Sequence, residues 1–167
     1  MWQDTLIQML RAEINDFEAL RYTDARLQKI LVVSAFKVYQ VAPFVTDYRI
    51  NVNTSTIAPD PVVIDDYDFS ALVVAQAACI ILTGESREAS GSAVMIKDGP
   101  SVLDNRDGSK NLIGLSTAAC DNFKNLLNIY LMSGGNGLNE LSTIRAVLTP
   151  YGSSSYNYKY WSNRKSD

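Results

Sequence analysis

The chain has no histidine. That absence removes Ser-His-Asp and Cys-His nucleophile systems, histidine-ligated zinc, and the commonest general base near neutral pH. Cysteine is scarce as well. Cys79 and Cys120 show neither a metal-ligand spacing nor a close partner, and read as small buried apolar groups in two helices rather than as a disulfide. Excess positive charge is also missing: 15 basic residues face 18 acidic ones, for a net charge of −3 and a pI near 4.9. This disfavours a protein that grips nucleic acid through a basic surface, since phosphate binding relies on clustered Lys and Arg. The longest apolar run, residues 71–82, is shorter than the ~20 residues a membrane span needs. The amino-terminal MWQDTLIQMLR has an early acid and no basic-then-apolar order, so it does not read as a signal peptide, and synthesis in the cytoplasm is expected. No G-x-x-x-x-G-K-[ST] loop occurs, and Gly84, Gly91, Gly134, Gly135 and Gly137 make no phosphate cradle.

What is present is an ordinary globular composition, 47% hydrophobic and 20% charged over 167 residues. A chain of this length can bury roughly two-thirds of its unfolded surface as one domain. Leu6, Met9 or Leu10, and Ile14 predict a short helix over Asp4 to Glu13, and residues 15–22 a packed link. Thr23 or Asp24 can cap a second helix that ends before Pro43. Leu27, Ile30, Leu31, Ser34, Ala35 and Val38 recur at helical spacing, while Val32, Val33 and Phe36 fill much of the rest of the circumference. So apolar a helix belongs either inside its own bundle or near a boundary between copies.

From Tyr48 to Thr56 the period changes to two. Tyr48, Ile50, Val52, Thr54 and Thr56 face one way, as a half-buried strand able to pair with another chain. Pro59 and Pro61 close it, and Asp66, Asp68 or Ser70 caps a third helix with Gly84 as a local stop, unless residues 85–90 prolong it. Short strands are expected at Val94–Lys97 and Ser101–Leu103. A Ser116-capped helix follows with a stripe of Ala119, Phe123, Leu126, Leu127, Tyr130 and Leu131, ending at Gly134-Gly135, and then a strand at Thr143–Thr149. The fold expected is mainly α: a four-helix bundle-like core in residues 1–150, an inserted strand region at 44–58 with a few short β-strands or a hairpin, and an extended arm at 151–167.

That arm, YGSSSYNYKYWSNRKSD, has no Leu, Ile or Val, yet holds four of the nine Tyr, one of the two Trp, and Lys159, Arg164 and Lys165. It can bury little surface on itself and reads as a docking arm, because aromatics and Arg carry contact energy at interfaces. Tyr151, Tyr156, Tyr158, Tyr160, Trp161, Arg164 and Lys165 are its candidate contact residues. Stacking on single-stranded nucleic acid is the competing use. Catalytic and metal readings are weaker. Residues 104–108 put Arg106 and Gly108 where calcium ligands should stand, and Asp60, Asp65, Asp66 and Asp68 read as solvated acids before a helix rather than an acid–base pair. No enzyme activity and no cofactor is expected.

The order of these elements carries a resemblance. A short helix, an acidic-polar link, a Tyr22-Thr23-Asp24-Ala25-Arg26-Leu27 helix start, a long apolar helix with Thr83-Gly84, a Lys97-Asp98-Gly99 loop and a Ser116-capped helix resemble head-tail connector (adaptor) proteins of tailed double-stranded DNA bacteriophages, over residues 2–132. The strand region near Tyr48–Ile57 and the Tyr-rich arm depart from the simplest helical pattern of that family. The resemblance implies a structural virion protein at the head–tail interface. Its copies, commonly twelve, would form a ring beneath the portal protein, let DNA pass through a channel without specific binding, and receive the next neck or tail protein. Another neck component, a stopper or tail terminator, and a nucleic-acid-binding module are the alternatives. The arm would then dock on the portal.

Overall fold

A computed structural model describes residues 1–91, 95–98, 101–104 and 106–133. Leu6, Ile7 and Leu10 share one helical face and build α1 (Trp2–Glu13), which starts two residues before the expected Asp4. The earlier start has a visible cause: the Trp2 N–H donates to Asp60 Oδ2 at 2.9 Å, satisfying a donor that a helix start leaves free. α2 (Asp24–Val41) begins as expected at Thr23, whose extended backbone (φ −75°, ψ 149°) is that of a cap and whose side chain accepts from the Arg26 N–H. It ends at Ala42, held extended ahead of Pro43.

The link between α1 and α2 is ordered by hydrogen bonds rather than packed as expected, since Phe17 and Leu20 stand exposed. Asp16, 4% exposed, folds it: Oδ1 accepts from the N–H groups of Leu20 and Arg21, and Oδ2 from that of Tyr22. Asn15 and Ala19 take left-handed backbone, φ 54° and 56°, to close the loop.

The single strand expected over Tyr48–Thr56 is corrected to a hairpin. β1 (Arg49–Asn51) and β2 (Thr56–Ala58) pair antiparallel with Ile50 opposite Ile57. The alternation misleads because Asn51 turns the chain: its Oδ1 accepts from the N–H groups of Asn53 and Thr54, and Ser55 is left-handed at φ 53°. Val52 and Thr54 therefore lie in the turn, outside any strand.

Asp66 caps α3 (Tyr67–Gly91), its Oδ1 accepting from the Phe69 N–H at 3.0 Å. Gly84 is no stop, and the helix runs through it to Gly91, Glu85 being held by Tyr22 and Arg21 across the groove. β3 (Met95–Asp98) and β4 (Ser101–Asp104) pair antiparallel, close to the expected strands. α4 (Arg106–Met132) starts well ahead of Ser116. That serine caps nothing: it is buried inside the helix and donates to the Ile113 carbonyl at 2.9 Å.

The result is mainly helical. α3 is the central element, contacting α1, α2 and α4, while the first hairpin rests on α2. α2 keeps Phe36 and Val41 exposed, so the more enclosed apolar helix is α3 and not the one beginning at Thr23. By length and composition α3 could also cross a membrane, but 61% of its most apolar window is buried against the rest of the chain. Phe69 shows how the core closes. It is fully buried, stacked on Tyr48 at 3.9 Å between ring centroids and edge-on to Phe44 at 5.1 Å. Burying such a ring contributes about 2–3 kcal/mol.

Candidate functional site

α4 is the least covered of the four helices. It packs mainly on α3, and from Lys110 onward only Ser116 and Tyr130 among its side chains are buried. The expected stripe is the side that meets α3: Phe123, Leu126 and Leu127 pack half-buried against the core, though Leu131 of that stripe is exposed. Around the rest of its circumference Ile113, Leu115 and Met132 are separately exposed to solvent, the last at 78%.

Two tethers hold α4 in place. One is a disulfide between Cys79 on α3 and Cys120 on α4, which corrects the reading of both as unpaired apolar groups. The pairing follows from topology. In a helical hairpin, residues equidistant from the turn face each other, and these two are equidistant from Gly99-Pro100 in the sequence. The other tether is Tyr130, which donates its hydroxyl to the Pro43 carbonyl at 2.7 Å and stacks on Phe44 at 5.1 Å.

Around Tyr130 lies an aromatic and acidic end of the molecule. Tyr48 donates to Asp66 Oδ2 at 2.7 Å, and Tyr39 donates to Asp47 at 2.9 Å. Burial, followed by the bond to Asp66 and its charge, holds the Tyr48 hydroxyl far above the ordinary tyrosine value. Burial, then the charges of Asp66 and Asp68, pushes Tyr130 in the same direction. On the same two loops Val45 (97% exposed), Val63 and Tyr67 stand in solvent.

At the opposite end of α2 sits a polar knot that the sequence reading missed. Arg11 is buried, with Nη1 2.8 Å from Asp16 Oδ2, and Nη2 2.9 Å from the Tyr22 carbonyl and 2.5 Å from Asp24 Oδ1. Nothing in the helical periodicity marks it, since an Arg in a last turn ordinarily faces water. Next to it Glu85 Oε1 accepts from Tyr22 and Arg21, at 2.5 and 2.6 Å. Burial and then Glu85 push the Tyr22 hydroxyl up to about 12. Glu85 Oε2 is buried without a hydrogen-bond partner. An open groove of about 380 Å³ runs past Arg21, Tyr22, Arg26, Glu85 and Glu88. Among the described residues no set of three His, Cys, Asp or Glu side chains is placed to hold a metal ion.

Of the residues singled out for strand pairing, Tyr48 is buried and committed to the core, Ile50 is half-buried in β1, Thr56 is exposed in β2, and Val52 and Thr54 form the turn. The acids Asp60, Asp65, Asp66 and Asp68 serve the chain itself in part. Asp60 accepts from Trp2 and Val62, Asp65 from Tyr67, and Asp66 from Phe69 and Tyr48. The Gly134-Gly135 stop, the strand at Thr143–Thr149, and the arm with Tyr151, Tyr156, Tyr158, Tyr160, Trp161, Arg164 and Lys165 lie outside the described residues.

No protein family, characterised protein or solved structure matches this chain.

Proposed function

We propose that this chain is a structural virion protein, a head-tail connector whose copies form a ring beneath the portal. In this reading the ring continues the DNA channel, receives the next neck or tail protein, and does its work at the head–tail interface of the virion. The observation that carries the proposal is α4, a long helix packed on one neighbour whose Ile113, Leu115 and Met132 stand in water. Exposed apolar side chains occur singly on any protein, but α4 adds them to a helix that rests mainly on α3, with Tyr130 as a second tether to Pro43 and Phe44.

A ring supplies the missing neighbour. Each subunit meets the next through two different surfaces, and Phe17 and Leu20 on the α1–α2 link, 71% and 80% exposed, are a second apolar set on a separate element. The net charge of −3 suits a channel past which duplex DNA slides, because like charge weakens adhesion. A disulfide is also compatible with a virion, where thiols meet oxidising conditions after release. The arm, Tyr151 to Asp167, is the element that would join the portal, with the order of helices supplying the resemblance to connectors.

Electron microscopy of the purified protein, alone and mixed with its portal, tests the proposal. Rings with a central hole support it. A monodisperse monomer at high concentration that joins no portal ring overturns it.

A further inference from the structure

Residues 43–68, between α2 and α3, carry Asp47, Asp60, Asp65, Asp66 and Asp68 against one cation, Arg49. They fold onto the end of the molecule where α4 finishes, because Tyr130 bonds to Pro43 and stacks on Phe44, and Tyr48 ties both loops together through Asp66 and Phe69. The C-termini of α2 and α4 meet the N-termini of α1 and α3 at this end, so the helix dipoles largely offset one another and the negative charge there is that of the carboxylates. On the same loops Val45, Val63 and Tyr67 are exposed at 97%, 74% and 64%. Acids interspersed with uncovered apolar groups suit a segment that is both aromatic and cationic.

The chain carries such a segment. Tyr151 to Asp167 has four Tyr, one Trp and three cations against a single acid, with no aliphatic Leu, Ile or Val. Tyr156, Tyr158 and Tyr160 alternate, so an extended backbone would put them on one side and Lys159 and Trp161 on the other. The segment also starts from the right place. α4 ends at Met132 beside this acidic end, and residues 134–150 can span roughly 50–60 Å when extended, at about 3.3–3.6 Å per residue.

We propose that the acidic loops at residues 43–68 are the seat of the chain's own Tyr151–Asp167 segment. Tyr and Trp cover Val45, Val63 and Tyr67, and Lys159, Arg164 and Lys165 lie among the carboxylates. Attachment to the same chain favours this over a second copy, because a short tether holds the segment at an effective concentration on the order of millimolar. The inference does not rest on the connector reading. Where a portal is the arm's receiver, this seat is what the arm leaves.

The test uses the full-length protein. Carbodiimide cross-linking at low salt, on a mixture of isotopically light and heavy chains, is expected to join Lys159 or Lys165 to acids within 43–68, in products that are wholly light or wholly heavy. Chymotrypsin should cut at Tyr156 to Trp161 at least tenfold faster in 0.5 M salt. It should do the same in the triple variant Lys159→Glu, Arg164→Glu, Lys165→Glu, whose circular dichroism stays that of the parent. With the two populations refolded together in equal amounts, mixed-isotope products making up about half of the cross-links would assign the arm to a second copy and overturn the proposal. Cross-links to other surfaces, or cleavage that neither salt nor charge reversal accelerates, would overturn it too.

Discussion

Cys79 on α3 is bonded to Cys120 on α4, with their α-carbons 4.7 Å apart at a sequence separation of 41. The bond closes the loop that holds both strands of the second hairpin. It fixes α4, which has few other partners, to the central helix.

Removing that bond should therefore cost more than two half-buried side chains would suggest. Closing a loop of this size restricts the unfolded chain enough to stabilise the fold by about 4 kcal/mol in the chain-entropy account. The variant Cys79→Ala, Cys120→Ala, or the parent protein in reductant, is expected to lose about 2–4 kcal/mol in urea denaturation. Thiol titration of the denatured, unreduced parent should find no free cysteine. Two free thiols, or an unchanged midpoint in reductant, would exclude the pairing.

Asp16 makes an acid-side prediction. Burial pulls its pKa up, but the N–H groups of Arg21, Tyr22 and Leu20 together with the Arg11 charge outweigh that, and the folded value falls below 3.8. A carboxylate depressed on folding contributes stability that is whole above the unfolded value and is lost as pH falls through the folded one. Stability should thus decline as pH falls below about 4. Asp16→Asn, less stable at neutral pH because Arg11 keeps only Asp24 of its two carboxylate partners, should show a shallower decline over the same range. Equal slopes for the two proteins in acid titrations of the unfolding midpoint would rule out this role.

How far the sequence reveals this architecture depends on the range of the interaction involved. Thr23 and Pro43 bound α2 because caps and proline clashes act within a few residues, and the two short strands around Gly99-Pro100 are legible for the same reason. Asn51 is a local signal that the alternation from Tyr48 to Thr56 conceals, since a two-residue period continues unbroken through a turn whose polar residues also alternate. Gly84 and Ser116 mislead in the opposite direction. Each has the chemistry of a helix end, and contacts from distant elements carry α3 and α4 past them. Glu85 is beyond local reach, because its partners Arg21 and Tyr22 lie in the link more than sixty residues earlier, and Arg11 is hidden because its nearby partners reach it only once that link has folded back. The arm is visible in composition, but a composition does not say what will cover it.

Tyr48 and Tyr22 predict behaviour at the alkaline limb. Both are raised above the ordinary value of 10, Tyr22 to about 12, chiefly by burial and then by a carboxylate that accepts the hydroxyl proton. A tyrosine raised on folding contributes stability that is whole below 10 and is lost as pH climbs toward the folded value. Absorbance at 295 nm should therefore show these two hydroxyls titrating late, together with the loss of helical circular dichroism. Tyr48→Phe should cost about 1 kcal/mol at neutral pH, the worth of one hydrogen bond, and should make the alkaline decline shallower. Retention of the full alkaline slope in Tyr48→Phe would show that its hydroxyl is not held as described.

Two exposed apolar residues on opposite flanks of α4 give the prediction on which the assembly depends. Ile113 and Leu115 are 46% and 56% exposed, so replacing them removes little packing within the chain, and a helix accepts Glu at small propensity cost. Ile113→Glu with Leu115→Glu should leave the unfolding midpoint within about 0.5 kcal/mol of the parent, as for surface changes in general. In an assembled ring the same two carboxylates would be driven into an apolar contact with no partner charge, at a penalty of several kcal/mol per subunit boundary. Sedimentation velocity should then show the parent as oligomers and the double variant as folded monomers, with no concentration at which the variant recovers rings. Equal assembly by both proteins would remove Ile113 and Leu115 from the boundary and leave Phe17 and Leu20 on the link as the apolar set still to be covered.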